Sequence, residues 1–187
     1  MTGFVDLAKR VSEQLDANAI SLRAALVTLS RYLQRQFDVS RVTVWGIEGR
    51  RGHRTMRRAG GFDGVAESDI SERATFVDAQ VSAYLDALLE RGVYPSSDTF
   101  SDPLLAALKE SYLIPLDIRA SLDGAVSING ELIAVFCFAQ QGAIRHWTSN
   151  ELTEALTFAR SVAVLRARRL GRAGKALSLM QELDEQQ

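Results

Sequence analysis

Four side chains near the middle of the chain have the chemistry to hold a small polar ligand: Tyr84, Asp98, Tyr112 and Asp123. Each tyrosine sits among apolar positions at helical spacing, so its ring belongs in a core and its hydroxyl is left to orient a bound group. Packing with a satisfied hydroxyl is the plainer reading of both, and both are carried as candidate pocket residues. Asp98 admits two roles: an acceptor for a ligand amine or hydroxyl, or a cap at a helix entry. For Asp102 capping is preferred, because Pro103 follows it directly. Asp123 follows Leu122 in a strand-like run, so one of the pair faces inward, and both are candidates. An inward Asp123 needs a partner, since an unpaired buried charge is costly. Arg119, four residues back, shares its face by strand periodicity, and a structural ion pair with it and a ligand contact are equal readings of Asp123.

Other reactive residues read as structural. Cys137 stands alone in an apolar run and is expected to be an inert buried thiol. His53 and His146 lack second ligands at metal spacing, and HExxH is absent, so no metal and no catalytic residue is assigned. No GxxxxGK[ST] loop appears. Arg50, Arg51, Arg54, Arg57 and Arg58 crowd one hairpin without interleaved aromatic residues, which favours a solvated tip over a nucleic-acid surface. A second basic run, Arg166 to Lys175, suits a helix end.

The elements that must position these groups follow from periodicity. Residues 4–37 are helical, with Phe4, Ala8, Val11, Leu15, Asn18 and Leu22 stepping by fours and threes and Leu26, Leu29 and Leu33 continuing after one four-residue slip. Asn18 and Ser21 mark a point where the helix divides in two. Arg41–Glu48 alternates as a strand and Arg54–Phe62 returns as its hairpin partner. Residues 65–75 read as loop, and Phe76–Gly92 as a helix stopped by Gly92. Val93–Asp98 is short and extended, with Pro95 confining it to an edge or a strand start. A helix from Asp102 to about Tyr112 must end before Pro115. RASLDGAVSI and ELIAVFCFA are strands joined at Asn129-Gly130, the strongest hairpin signal in the chain. Thr148 and Glu151 form a capping box for a last helix carrying Leu152, Leu156, Ala159, Ala163, Leu170, Ala173, Leu177 and Met180. The hairpins imply an antiparallel central sheet, and the long terminal helices can cover one face of it: an α+β sandwich.

Composition agrees with one folded unit. The chain has 187 residues, 47% of them apolar and 24% charged, with a net charge of −1. That balance argues against disorder and against a global pull toward nucleic acid or anionic lipid. One cysteine fits a reducing compartment, no apolar run reaches membrane-spanning length, and the first residues lack the core of a signal peptide, so a cytoplasmic location is expected.

The order and spacing of these elements resemble a GAF domain of bacterial signalling proteins, of the type associated with sensor kinases and diguanylate cyclases. The likeness is carried by Tyr84-Leu85, Ser97-Asp98, Asp102-Pro103, Tyr112-Leu113, Pro115-Leu116, Ile118-Arg119 and Ser121-Leu122-Asp123. It continues through Gly130, Ala134-Val135-Phe136-Cys137, Gly142, Arg145-His146-Trp147-Thr148 and Glu151. Asp117, Gly124-Ala125 and Ala139-Gln140 depart from the pattern; the last replaces a Glu-His pair the family often has near its pocket. The resemblance implies a GAF-like antiparallel sheet of about six strands, with terminal helices on one face and helix–loop segments over the other. It divides the chain into a helical extension at 1–18, the domain at 19–168 and a coiled-coil-like extension at 169–187. It implies a non-enzymatic sensor, excised or free-standing, that binds a small molecule without a resident cofactor. Such a sensor pairs through its terminal helices and acts on a kinase or cyclase output module or another signalling protein. Leu15, Leu22, Leu29, Leu156, Ala163 and Leu170 are the expected dimer positions. The alternative is a ligand-free dimerisation or interaction module. The Asn-Lys pair of cyclic-nucleotide-binding relatives is missing, which leaves open a nucleotide held in another way. One cysteine cannot support the disulfide cycle of the free methionine sulfoxide reductases of this fold.

Overall fold

A computed structural model describes the backbone of residues 2–184 and the side chains of residues 3–171. The first helical stretch divides where expected. Helix α1 (Thr2–Asp16) ends before Asn18, which takes a left-handed φ of 53°, and α2 (Leu22–Phe37) is capped by the Ser21 hydroxyl, which accepts from Ala24 N at 3.2 Å. Strands β1 (Arg41–Glu48) and β2 (Thr55–Asp63) form the first hairpin. The segment expected as loop contains the short β3 (Ser68–Asp69) and the start of β4 (Thr75–Val77). Both pair with β2, so the free edge of that strand, and not local propensity, organises them. Helix α3 (Asp78–Arg91) stops at Gly92, whose φ of 79° closes the end, and β5 (Val93–Ser96) follows as an edge strand.

The helix expected after Asp102 forms, but not as a regular α-helix. It is a 3-10 segment, Pro103–Leu108, followed by a π-helical turn, Lys109–Leu113. Asp102 caps it through Leu104 N at 3.0 Å. Strands β6 (Ile118–Ile128) and β7 (Glu131–Gln141) make the second hairpin, turned at Asn129 and Gly130, both with positive φ. Helix α4 (Ser149–Asp184) closes the chain, opened by the Thr148–Glu151 capping box. The expected stripe positions Ala173, Leu177 and Met180 lie outside the residues whose side chains are described.

The sheet is antiparallel, in the order β3-β2-β1-β7-β6-β5, with β4 also on β2. Its two faces bury separate cores. Against α1, α2 and α4 lie Val42, Val44, Leu122, Phe136 and Phe138, with Phe158 of α4 edge-on to Phe4 at 4.2 Å and to Phe136 at 4.5 Å. Against α3 and the 3-10/π segment lie Trp45, Val135, Ala125 and Ala139. Gly124 permits the close approach of α4 to β6: a Cβ there would stand 3.3 Å from Ala155 O and 3.4 Å from Ala159 Cβ.

The terminal helices serve this core first. Phe4, Ala8 and Val11 of α1 are buried, so α1 packs on the domain, and α4 runs unbroken through residue 168. Of the expected dimer positions, Leu29 is buried in the chain's own core, and Leu15 and Ala163 pack against it. Leu156 is half-buried beside Gly92, while Leu22 and Leu170 are exposed. Among the described residues, no helix is long and apolar enough to cross a membrane.

Candidate functional site

Register builds the site. Thr43 on β1, Cys137 on β7, Asp123 on β6 and Tyr94 on β5 stand in one row across four adjacent strands. Residues opposite one another in a ladder share a face, and this row faces α3. A second row, Arg41, Ala139, Ser121 and Ser96, runs beside it on the same face. Leu122 therefore turns the other way: it is fully buried against the terminal helices, and its place as a candidate pocket residue passes to its neighbours.

Asp123 is 3% exposed. Its Oδ2 accepts from the Tyr84 hydroxyl at 2.9 Å and from Ser121 Oγ at 3.4 Å, while Oδ1 is buried with no partner. Burial pushes the carboxyl up to about 6, against the pull of the Cys137 thiol first and then of Tyr84 and Ser121. Burial first, and the neighbouring Asp123 second, push the Tyr84 hydroxyl well up, so Tyr84 stays protonated and donates. Burial pushes the Cys137 thiol well up too, with Asp123 adding to the effect. These groups border a cavity of about 40 Å³ whose other walls are apolar, including Trp45, Met56, Phe76, Leu105 and Tyr112. Trp45, Phe76 and Tyr112 pack as three mutual ring contacts at 5.4–5.6 Å, and Tyr112 sits on the π-helical turn. Tyr84 and Tyr112 thus both reach the chamber.

Asp98 does not. Its carboxylate accepts from Phe100 N, Ser101 Oγ and Arg119 Nη2, and the Ser101 hydroxyl is the largest influence holding it below its ordinary value. The expected Arg119–Asp123 pair is replaced by Arg119–Asp98 at 3.3 Å. A register irregularity between Ile118 and Ala120 breaks the alternation, so Arg119 leaves the face of Ser121 and Asp123 and stacks over Phe100. Asp102, besides capping, accepts from the Tyr94 hydroxyl at 3.0 Å, and burial with this bond raises Tyr94 to about 12.

The basic cluster is not a uniformly solvated tip. Arg54 is buried, bonded to Asp78 at 2.6 Å and paired with Asp86 at 2.9 Å, and Arg51 donates to Asp86 at 2.7 Å. The carboxylates of α3 draw these guanidiniums inward, which the hairpin's own sequence could not reveal. Arg145 has a joining role: it donates to Phe37 O and Asp38 O at the end of α2 and to Glu151 at the start of α4. Trp147 donates to Ser96 O on β5. No group of three or more His, Cys, Asp or Glu side chains suited to a metal occurs among the described residues.

The model of the GAF domain family matches residues 21–165. The chain belongs to the GAF family. This GAF domain is similar in fold to a far-red cyanobacteriochrome photoreceptor, with a TM-score of 0.68 at 14% identity over 83% of this chain and 91% of that one. It is similar to the blue-light-absorbing form of the PixJ GAF domain of Thermosynechococcus elongatus, with a TM-score of 0.61 at 17% identity over 86% and 92%. It is also similar to the phycoerythrobilin-bound GAF domain of a cyanobacterial phytochrome, with a TM-score of 0.68 at 11% identity over 90% and 97%. At these identities the likeness is one of fold. No curated sequence matches the chain at a significant level.

Sequence reasoning missed Arg41. Buried to 4% exposure at the start of β1, it stands on the chamber face with its Nε unpartnered. Its position as the first polar residue of an alternating strand is the signal that could have found it.

Proposed function

We propose that this GAF domain is a cytoplasmic sensory or regulatory module. It admits a small molecule between the sheet and α3 and passes occupancy through α1 and α4 to a second copy and an output partner, such as a kinase or cyclase module. The observation that carries the reading is Asp123, a buried carboxylate with one oxygen held by Tyr84 and the other unpartnered beside a cavity. Buried polar groups without partners are rare and costly, and a ligand supplies what the chain does not. The dimer part of the reading rests on a groove of about 540 Å³ between α1 and α4, with Val5 and Val164 exposed on its walls.

Similar folds hold bilins, but a bilin does not fit here. The cavity of about 40 Å³ falls well short of the several hundred Å³ that a drug-sized ligand fills. The chain's one cysteine, Cys137, has its thiol pushed up by burial, which leaves little thiolate for attachment. The same small volume, with Trp45, Phe76 and Tyr112 packed together, favours the second reading: a ligand-free dimerisation module.

Melting the protein against a panel of metabolites and nucleotides separates the two. A sensor gains stability with particular compounds by mass action. A scaffold shows no shift yet remains dimeric by light scattering. Val5→Glu with Val164→Glu is expected to yield monomers, and an unaltered dimer contradicts the helix-pairing part.

A further inference from the structure

The chamber face of the sheet carries two buried charges of opposite sign, each with an unpartnered atom. Asp123 Oδ1 has none, and neither does Arg41 Nε, although both side chains are more than nine-tenths buried. Arg41 has an ion pair with Asp63, but at 3.8 Å it lies beyond hydrogen-bond length. Asp123 is held by Tyr84 and Ser121 with the Cys137 thiol opposite it on β7, and no arginine reaches it. A protein that simply needed a stable core would satisfy these atoms or omit the charged groups.

Their placement is informative. Arg41 stands opposite Ala139, in the row next to Thr43, Cys137 and Asp123, and two strands away from Asp123. Strand spacing and rise put the two Cα atoms ~12 Å apart. Thr43, Ser121, Cys137 and Ala139 of the cavity wall lie between them, and Arg41 stands beside that wall on the same face. Tyr112 lies within electrostatic reach of both Arg41 and Arg58, so the positive end of the chamber has a hydroxyl beside it. Tyr112 also belongs to the π-helical turn, an irregular winding of the kind that recurs at functional sites.

We propose that the ligand of this chamber is a compact zwitterion of the α-amino acid class, its ammonium on Asp123 and its carboxylate on Arg41. The inference rests on the reading of the chamber as a small-molecule site and adds the ligand's chemistry. A zwitterion satisfies both orphaned atoms at once, whereas an amine or an acid alone satisfies one and leaves the other without a partner. The carboxylate suits a guanidinium, which can offer two parallel donors. The cavity of about 40 Å³ and its rings limit the side chain to a small apolar group.

The test is thermal melting of the full chain with glycine, L-alanine and L-valine. Each is set against the amine left by removing its carboxylate (methylamine, ethylamine, isobutylamine) and the acid left by removing its amine (acetate, propionate, isovalerate). At a hundredfold excess over Kd, an amino acid is expected to raise the melting temperature by ~5 °C and its two fragments by far less. Asp123→Asn and Arg41→Lys should each weaken the amino acid at least tenfold while the unliganded protein still melts cooperatively. If a fragment stabilises as well as the intact amino acid, the zwitterion inference falls and the sensor reading stands. The same follows if only compounds outside this class stabilise the wild-type protein. If no compound here or in the wider panel shifts the wild-type protein, both fall. The wild-type comparison decides even where a variant does not fold.

Discussion

Asp123 is a buried carboxyl whose proton is coupled to folding. Its carboxyl titrates at about 6 in the fold and at 3.8 in its ordinary state. Because the folded value is raised, the native protein binds the proton more tightly than the unfolded chain. Stability is therefore full below about pH 4 on this account, falls as pH rises between about 4 and 6, and stays reduced above that window. A rise of that size corresponds to about 3 kcal/mol. Asp123→Asn keeps an acceptor for Tyr84 and removes the charge. Denaturation at pH 5 and pH 7.5 should show the wild type losing stability relative to the variant at the higher pH. A variant with the wild-type pH dependence contradicts the buried, under-partnered carboxylate. The sequence can name Asp123 but not orient it, since alternation allows either Leu122 or Asp123 to face the chamber. The pairing of Asp123 with Cys137, and of Cys137 with Thr43, decides between them. Periodicity gives Arg119 the wrong partner, because one register irregularity reverses the faces of a strand.

At the scale of elements, the joint between β6 and α4 connects the chamber to the terminal helix. Asp123 and Gly124 are neighbours on β6: one side chain faces the chamber, and the other position admits Ala155 and Ala159 of α4. Gly124→Val should drive α4 from the sheet and cost about 1–3 kcal/mol in overpacking. The denaturant midpoint reads this loss, and an unchanged midpoint contradicts so close a joint. Most elements here are legible because their signals are local: Ser21 before an apolar stripe, Gly92 after one, Asn129-Gly130 between two strands, Thr148 with Glu151. Strands β3 and β4 are not legible, because pairing with β2 makes them strands. Nor is the 3-10/π character of Pro103–Leu113, since apolar periodicity alone does not distinguish these helical windings.

At the scale of the molecule, the sheet separates two tasks. One face packs α1, α2 and α4 with aromatic contacts; the other holds the polar row and the cavity. The apolar stripes of the terminal helices suggest dimer seams, yet much of each is spent on the chain's own core, as Leu29, Phe4 and Val11 illustrate. An amphipathic stripe states that a face is buried, not against what. A small molecule entering the chamber lined by Asp123, as proposed, meets Trp45 in the chamber wall, and that indole reports on it. With Trp147 replaced by Phe, Trp45 is the remaining indole. Titrating that variant with the compounds that raise the melting temperature should shift Trp45 emission saturably, with the same Kd that the melting series gives. Stabilising compounds that leave Trp45 emission unchanged would place the binding elsewhere and contradict the account.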